Sequence, residues 1–357
     1  MIKDHQQELK NLMQTVAKEG ASDLHFAVSR NPFVRIAGEL MPLVKEPILT
    51  PEDIENFAKL ILGEKKFEKL ANEKEIDFSY AFEDKLRFRG NIFYQQGFLG
   101  IALRVIPAKI PSLKELNLPE VLAEFCGKKQ GFFLVVGPTG HGKSTTLASM
   151  IEVINRSRRE HIVTIEDPIE YIFTSDKSII NQRQAGEDTQ DFHRALRSMF
   201  REDVNVVMIG EMRDHETMAT AVTAAETGHL VLSSLHTNNA SQTIDRIIDS
   251  FPPSQQDQIR NQLSGTLLGV FSQRLVPRAS GGRIPAYELL IANNAVRNLI
   301  RENKTFEIDM VIETGSNAGM VALNQSLSDL VKKGEISFED ALHYSLDQRG
   351  LTSLMER

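Results

Sequence analysis

FFLVVGPTGHGKST, residues 132–145, decides how this chain must be read. The five apolar residues Phe132–Val136 form a run of the right length for a buried strand, bounded by glycine. From Gly137 to Ser144 the spacing is G-x-x-x-x-G-K-[ST], the phosphate loop. Gly137, Gly140 and Gly142 let the backbone turn tightly and aim N–H groups at phosphate oxygens. Pro138, Thr139, His141 and Thr145 complete the cradle. Lys143 brings a mobile positive charge to the β- and γ-phosphates, and the Ser144 hydroxyl suits Mg²⁺. The apolar segment LASMIEVI that follows supplies a helix whose N-terminus favours anions. The stretch therefore predicts a strand, a nucleotide cradle and a helix.

The 357 residues leave room for two or three domains. A hydrophobic content of 41% and a charged content of 25% are those of an ordinary globular protein. No apolar run reaches about 18 residues, so no transmembrane helix is expected. The start, MIKDHQQELK, lacks an apolar signal core, which points to the cytoplasm. The single cysteine, Cys126, excludes an intramolecular disulfide and a cysteine-rich zinc site. A net charge of −7 gives no bulk attraction for nucleic acid.

Two periodicities divide the chain. Leu9, Leu12, Met13 and Val16 share a helical face within residues 3–19. Leu24, Phe26 and Val28 alternate with polar residues as a half-buried strand does, and 33–36 reads as its hairpin partner. Thr50-Pro51-Glu52-Asp53 is a helix start. Ile76, Phe78, Tyr80 and Phe82 alternate up to a turn at Glu83-Asp84, then Leu86, Phe88, Gly90, Ile92 and Tyr94 run back, and 98–105 adds a strand. Residues 1–106 thus read as a small α+β domain, and the prolines 107, 111 and 119 mark a linker over 107–119. Beyond it, apolar strands at 132–136, 161–165, 205–209 and 230–235 alternate with helices at 145–155, 188–200 and 215–226. That alternation predicts an α/β domain with a parallel sheet over 120–357, mostly helical after Pro252.

Ligands of an open parallel sheet sit at the carboxyl ends of its strands. Here those ends carry Glu166, Asp167 and Glu170, then Glu211 with Arg213 and Asp214, then His236. Three consecutive strands deliver an acid or a histidine to the edge that holds the phosphate loop. Glu211 is the preferred water-activating residue, Glu166 an acidic helper near the metal and His236 a γ-phosphate sensor. His229 lies seven residues before His236; an odd spacing turns the two to opposite faces of a strand, so they are not expected to share a metal. His229 reads equally well as structural. Arg87, Arg89 and Arg104 on the last strands of the first domain could be solvated strand residues. In a ring of subunits they could instead meet a neighbour's phosphates.

GPTGHGKSTTLASMI, TIEDPIEYI and GEMRDHETMATAVTAAETGHLVLSSLHTNNA together resemble the four boxes of the secretion and pilus motor ATPases: Walker A, the Asp box, the Walker-B-like GE motif and the His box. ASDLHF, RFRGNIF, LRVIP, SIINQR and AVRNLIRE resemble the pilus-retraction branch, and the likeness spans nearly the whole chain. The resemblance implies a PAS-like first domain, a RecA-like P-loop ATPase core, a homohexamer, and ATP hydrolysis that drives type IV pilus retraction and twitching motility through an inner-membrane platform protein. It also implies a cytoplasmic protein at the inner face of that membrane, without direct insertion, sharing its task with a second retraction ATPase. It carries Lys143 and Ser144 over as phosphate and Mg²⁺ ligands, Glu211 as the Walker-B glutamate and Glu166 as the Asp-box acid. His229 and His236 become the His-box residues, and Arg89 and Arg104 the arginines offered across the ring. AVRNLIRE looks like a segment needed for retraction; read alone, it is a helix with Val296, Leu299 and Ile300 inward and Arg297, Arg301 and Glu302 free for a partner.

Two places depart from the family pattern. His141 takes a loop position more often held by a small residue, with nucleotide release as the property it would tune. Val204-Asn205 replaces Pro-Asp before the Walker-B-like strand, which removes an acid expected near the site. The alternatives are an accessory retraction ATPase, a pilus-assembly or type II secretion ATPase, a DNA translocase on the same core, and a ring subunit that binds nucleotide without hydrolysing it. Assembly and secretion motors usually carry a four-cysteine zinc element that one cysteine cannot build. The acidic balance disfavours DNA.

Overall fold

The alternating segments of the first hundred residues fold into an antiparallel sheet. The structure is a computed structural model that describes residues 4–36, 38–82, 86–106 and 109–356. The Glu83-Asp84 turn, Pro107 and residue 3 of the first helix lie outside them. The chain divides into two units, one running to Lys109 and including Pro168–Ile172, the other made of Ile110–Asp167 and Phe173 onward.

In the first unit α1 (His5–Lys18) leads to β1 (Asp23–Phe26), β2 (Phe33–Ile36) and β3 (Glu39–Pro42); then come α2 (Pro51–Glu73), β4 (Glu75–Phe82), β5 (Leu86–Gln95) and β6 (Phe98–Ile106). The strand order is β3-β2-β1-β6-β5-β4. Helix α2 starts where the sequence places it, with a capping box in which Asp53 N–H donates to Thr50 Oγ1 and Thr50 N–H donates back to the Asp53 carboxylate. Leu9, Leu12, Met13 and Val16 of α1 pack with Phe26, Phe57, Phe78 and Phe88 in one core. Gly90 interrupts the apolar face of β5 for a steric reason. Its cross-strand partner is Phe78, whose ring would lie 2.2 Å from a Cβ at position 90.

The second unit contains α3 (Val121–Cys126), β7 (Gly131–Val136), α4 (Lys143–Ser157), β8 (His161–Glu166), β9 (Ile179–Gln184), α5 (Phe192–Met199), β10 (Val206–Ile209), α6 (His215–Glu226), β11 (Leu230–Leu235), α7 (Ala240–Asp249) and α8 (Pro253–Thr266). It continues through β12 (Leu267–Pro277), β13 (Arg283–Ile291), α9 (Asn294–Arg301), α10 (Ile308–Thr314), α11 (Leu323–Lys332), α12 (Phe338–Tyr344) and α13 (Gln348–Met355). The sheet order is β13-β12-β7-β11-β10-β8-β9. Its central strands β7, β10 and β11 are buried along their whole length, as expected of a parallel sheet covered on both faces. The fold class is the one the sequence predicts. Helices do predominate after Pro252, but β12 and β13, which form the sheet's other flank, were not foreseen. Nor was β9.

Two sequence expectations are corrected. Asn205 precedes β10, whereas Glu211 follows it, so Val204-Asn205 stands at the opposite edge of the sheet from the phosphate loop. There Asn205 Oδ1 accepts the His161 N–H at 2.9 Å, and Val204 packs in the core; no acid is lost from the site. Within 295–302, Val296 and Ile300 are buried and Leu299 packs against the core, but Arg297 is not free. Its guanidinium donates to the carbonyls of Ser264, Gly265, Leu267 and Ala292 at 2.7–3.1 Å, closing the C-terminal end of α8. Arg301 donates to Asn298 Oδ1, and Glu302 pairs with Lys304 at 2.8 Å. Arg297→Ala should therefore cost about 2 kcal/mol of stability, seen as a lower unfolding midpoint. Arg297→Lys should recover little, because an ammonium cannot reproduce the guanidinium fork.

Candidate active site

Each glycine of the phosphate loop is there for conformation. Gly137, Gly140 and Gly142 have φ of +141°, +80° and +82°. A Cβ on Gly137 would also meet the Gln273 carbonyl oxygen at 2.3 Å. Helix α4 begins directly after Gly142, so its first N–H groups face the loop. Lys143 Nζ lies back over the loop and donates to the carbonyls of Gly137 and Pro138 at 2.9 Å each.

The sheet register brings the other residues alongside. Leu235 of β11 pairs with Val136 of β7, so His236 emerges level with Gly137. His236 Nδ1 lies 3.3 Å from Lys143 Nζ and 3.2 Å from Thr139 Oγ1. An ammonium can only donate, so Nδ1 is the acceptor and Nε2–H donates to Glu211 Oε2 at 3.2 Å. Arg213 donates to the other oxygen of Glu211. Burial pushes the Glu211 carboxyl up, but the Arg213 guanidinium and His236 outweigh it and hold the group below the usual carboxylate range. Glu211 is therefore an anion near neutrality.

Glu166 ends β8 and is buried; its Oε1 accepts from Thr164 Oγ1 at 2.6 Å and Gln182 Nε2 at 3.1 Å. Gly210 passes directly against it: a Cβ there would touch Ile165 O at 3.4 Å and Glu166 Cα at 3.5 Å. Thus Lys143, His236, Glu211 and Glu166 meet at adjacent strand ends. His229 does not join them. It precedes β11 while His236 follows it, which separates the pair by roughly 20 Å along the strand. Its Nδ1–H donates to Ala224 O at 3.0 Å, and its ring packs edge-on against Phe200. The two histidines occupy opposite ends of the strand, a stronger separation than opposite faces.

In the first unit Arg89 of β5 is the cross-strand partner of Arg104 of β6, and Arg104 of Asp23 of β1. Arg104 Nε donates to Asp23 Oδ1 at 2.9 Å, yet the Arg104 side chain remains 72% exposed. Arg89 pairs with Glu170 at 3.3 Å, and Arg87 Nε donates to Ser79 Oγ at 3.0 Å. Burial pushes the Asp23 carboxyl up, but Ser22 and Arg104 more than offset that and keep it ionised.

Strand β12 adds residues that the sequence reading missed. On one face Gln273 donates from Nε2 to His141 O at 2.8 Å and accepts from Thr146 Oγ1 at 2.7 Å. Leu275 N–H donates to His141 Nδ1 at 2.8 Å, and the His141 ring meets Tyr344 edge-on at 6.2 Å. The departure at His141 is thus a clasp between the loop and β12. Burial, then Arg274, Arg283 and Lys143, hold this imidazole below its ordinary pKa, in keeping with the acceptor role of Nδ1. From the other face Ser272 Oγ donates to Asn238 O at 2.8 Å and Arg274 Nη2 reaches the same carbonyl at 3.4 Å. Glu288, paired with Ser272 across the hairpin, accepts the Ala240 N–H at 2.8 Å. The signal was present: two β-prone runs flank Gly281-Gly282.

A parallel sheet with helices on both faces, a glycine cradle at one strand end and acids at its neighbours' ends define a P-loop nucleotide-binding protein. The profile of the type II/IV secretion system protein family matches residues 4–281, and the chain belongs to that family. It is 42% identical to the type IV pilus retraction ATPase PilT of Pseudomonas aeruginosa over 94% of this chain and 97% of that one. It is 39% identical to the type IV pilus ATPase PilU of the same organism, over 95% and 88%. Among solved structures, that of the pilus retraction motor PilT with bound ADP superposes with a TM-score of 0.91 at 49% identity, covering 96% of this chain and 98% of that one. Among the described residues, no helix is long and apolar enough to cross a membrane.

Burial, helped by Asp309 and opposed by the Ala240 N–H and Arg274, raises the Glu288 carboxyl to about 7. Its folded pKa lies above the 4.5 of an ordinary glutamate, so between the two the folded state keeps a proton that the unfolded state releases. Stability therefore falls as pH rises from about 4.5 to about 7. Glu288→Gln removes this dependence. Its unfolding temperature relative to wild type should be higher at pH 8 than at pH 5.

Proposed function

We propose that this protein is a Mg²⁺-dependent ATPase whose hydrolysis powers type IV pilus retraction and twitching motility. The observation that carries the reading is the chain of contacts from Lys143 through His236 to Glu211 beside the phosphate loop. Close similarity to a pilus retraction ATPase over nearly the full length of both chains supports it. In this reading a PAS-like domain over 1–106 and a linker over 107–119 precede a RecA-like ATPase domain over 120–357. Six copies form a ring at the cytoplasmic face of the inner membrane, bound to a pilus platform protein.

Lys143 and the N–H groups of Gly137 and of Thr139 to Thr145 hold the phosphates. The donor set fits Mg²⁺, a hard cation that takes oxygen ligands: the Ser144 hydroxyl, with Glu211 and Glu166 acting through water. Bound there, the ion would neutralise charge on the phosphates. A carboxylate held anionic by Arg213 is a weak base, so Glu211 serves mainly to orient the attacking water, and His236 reports the γ-phosphate to it. Arg89 and Arg104 stand side by side on one strand pair, and the exposed Arg104 suits an anion offered by a neighbouring subunit. The similarity to PilU supports a second reading, an accessory retraction ATPase working beside another.

Glu211→Ala should bind ATP as wild type does and lose hydrolysis by roughly 10²-fold or more, measured as steady-state phosphate release against a Lys143→Ala control. Arg104→Ala should lower hydrolysis at nearly unchanged nucleotide affinity; an unchanged rate would return Arg104 to a pairing role with Asp23. A deletion strain with excess pili and no twitching supports the retraction motor. Normal piliation favours the accessory reading, and a bald cell overturns both.

A further inference from the structure

Strand β12 grips both halves of the nucleotide site, one from each face. Pleating turns successive side chains to opposite sides. Gln273 therefore reaches the phosphate loop through His141 O and Thr146, while Ser272 and Arg274 face the other way. There, Ser272, Arg274 and the cross-strand partner Glu288 are all at most 8% exposed, and all converge on residues 238–240. Ser272 and Arg274 hold the Asn238 carbonyl, and Glu288 holds the Ala240 N–H at the start of α7. Asn239 already caps α7 by accepting the Gln242 N–H, so Glu288 is a second acceptor aimed at this turn from outside the helix. His236 stands two residues before Asn238. It is the residue that touches Lys143, Thr139 and Glu211 together.

We infer that Glu288, with Ser272 and Arg274, is a positioning residue for hydrolysis, holding the 238–240 turn so that His236 stays between Lys143 and Glu211. A buried ionisable group is seldom left in a core without a partner or a task. Arg274, whose buried Nε makes no hydrogen bond, and Glu288 both spend their burial on one turn. The alternation of β12 then sets the distance between the loop that holds the phosphates and the histidine that senses them. The inference rests on the proposed roles of His236 and Glu211.

The test is a double-mutant cycle on the full chain, with steady-state hydrolysis and the affinity for a fluorescent ATP analogue measured for each variant. Glu288→Ala should lower kcat by roughly tenfold and leave affinity within about twofold, since the phosphate loop is untouched. Glu288→Gln keeps an oxygen acceptor for the Ala240 N–H and should restore most of kcat, which a general loss of folding would not allow. Where Glu288→Ala does not fold, Ser272→Ala takes its place in the cycle. In a His236→Ala background the second substitution should cost nothing further. An equal loss with and without His236 overturns the inference and leaves the proposed function standing. Weakened affinity at unchanged kcat overturns it too. A His236→Ala enzyme with wild-type kcat overturns the sensor role itself, and the inference with it.

Discussion

Parallel pairing of β7 with β11 on one side and β12 on the other is the constraint on which the nucleotide site depends. Strands that run in parallel end at a common edge, so the residue after each one arrives beside the residue after its neighbours. The match of Leu235 with Val136 brings His236 level with Gly137, and that of Ile209 with Ile165 lays Gly210 against Glu166. A slip of one residue would turn every side chain to the other face. Close packing resists it: β7, β10 and β11 are buried on both faces, so a slip would have to re-seat every side chain against both covering layers.

On that frame the charges are arranged by who can donate. Lys143 has only protons to give, so the imidazole nitrogen facing it must accept, and the other nitrogen's proton turns to Glu211. Arg213 then settles the charge of Glu211 against the desolvation that would neutralise it. The result is an anion fixed in direction. That suits orienting a water better than removing its proton.

Legibility followed the range of the interactions. The cradle, the helix after it and the acids at the strand ends were readable because each rests on neighbours within a few residues. The hairpin β12–β13 is poorly legible although its Gly281-Gly282 turn is a local signal, because the apolar runs beside it fit a buried helix equally well. Arg297 shows the limit from the other side. Helical periodicity correctly put Val296 and Ile300 inside, but the carbonyls that engage Arg297 come mainly from residues some thirty positions earlier. Asn205 precedes the strand that Glu211 follows, so strand direction alone keeps it away from the loop, and only the family's Pro-Asp pattern suggested otherwise.

The sequence by itself determined that a phosphate cradle opens a helix, that a parallel α/β sheet carries it, and that Glu166, Glu211 and His236 follow strands of that sheet. These depend on residue type and on spacing along one element, which folding does not rearrange. Only the tertiary structure decided that His236 stands between Lys143 and Glu211, that His141 clasps β12, and that Ser272, Arg274 and Glu288 close on one turn. Those facts belong to strand order and register, which are set by how separate segments share burial and hydrogen bonds rather than by any segment alone.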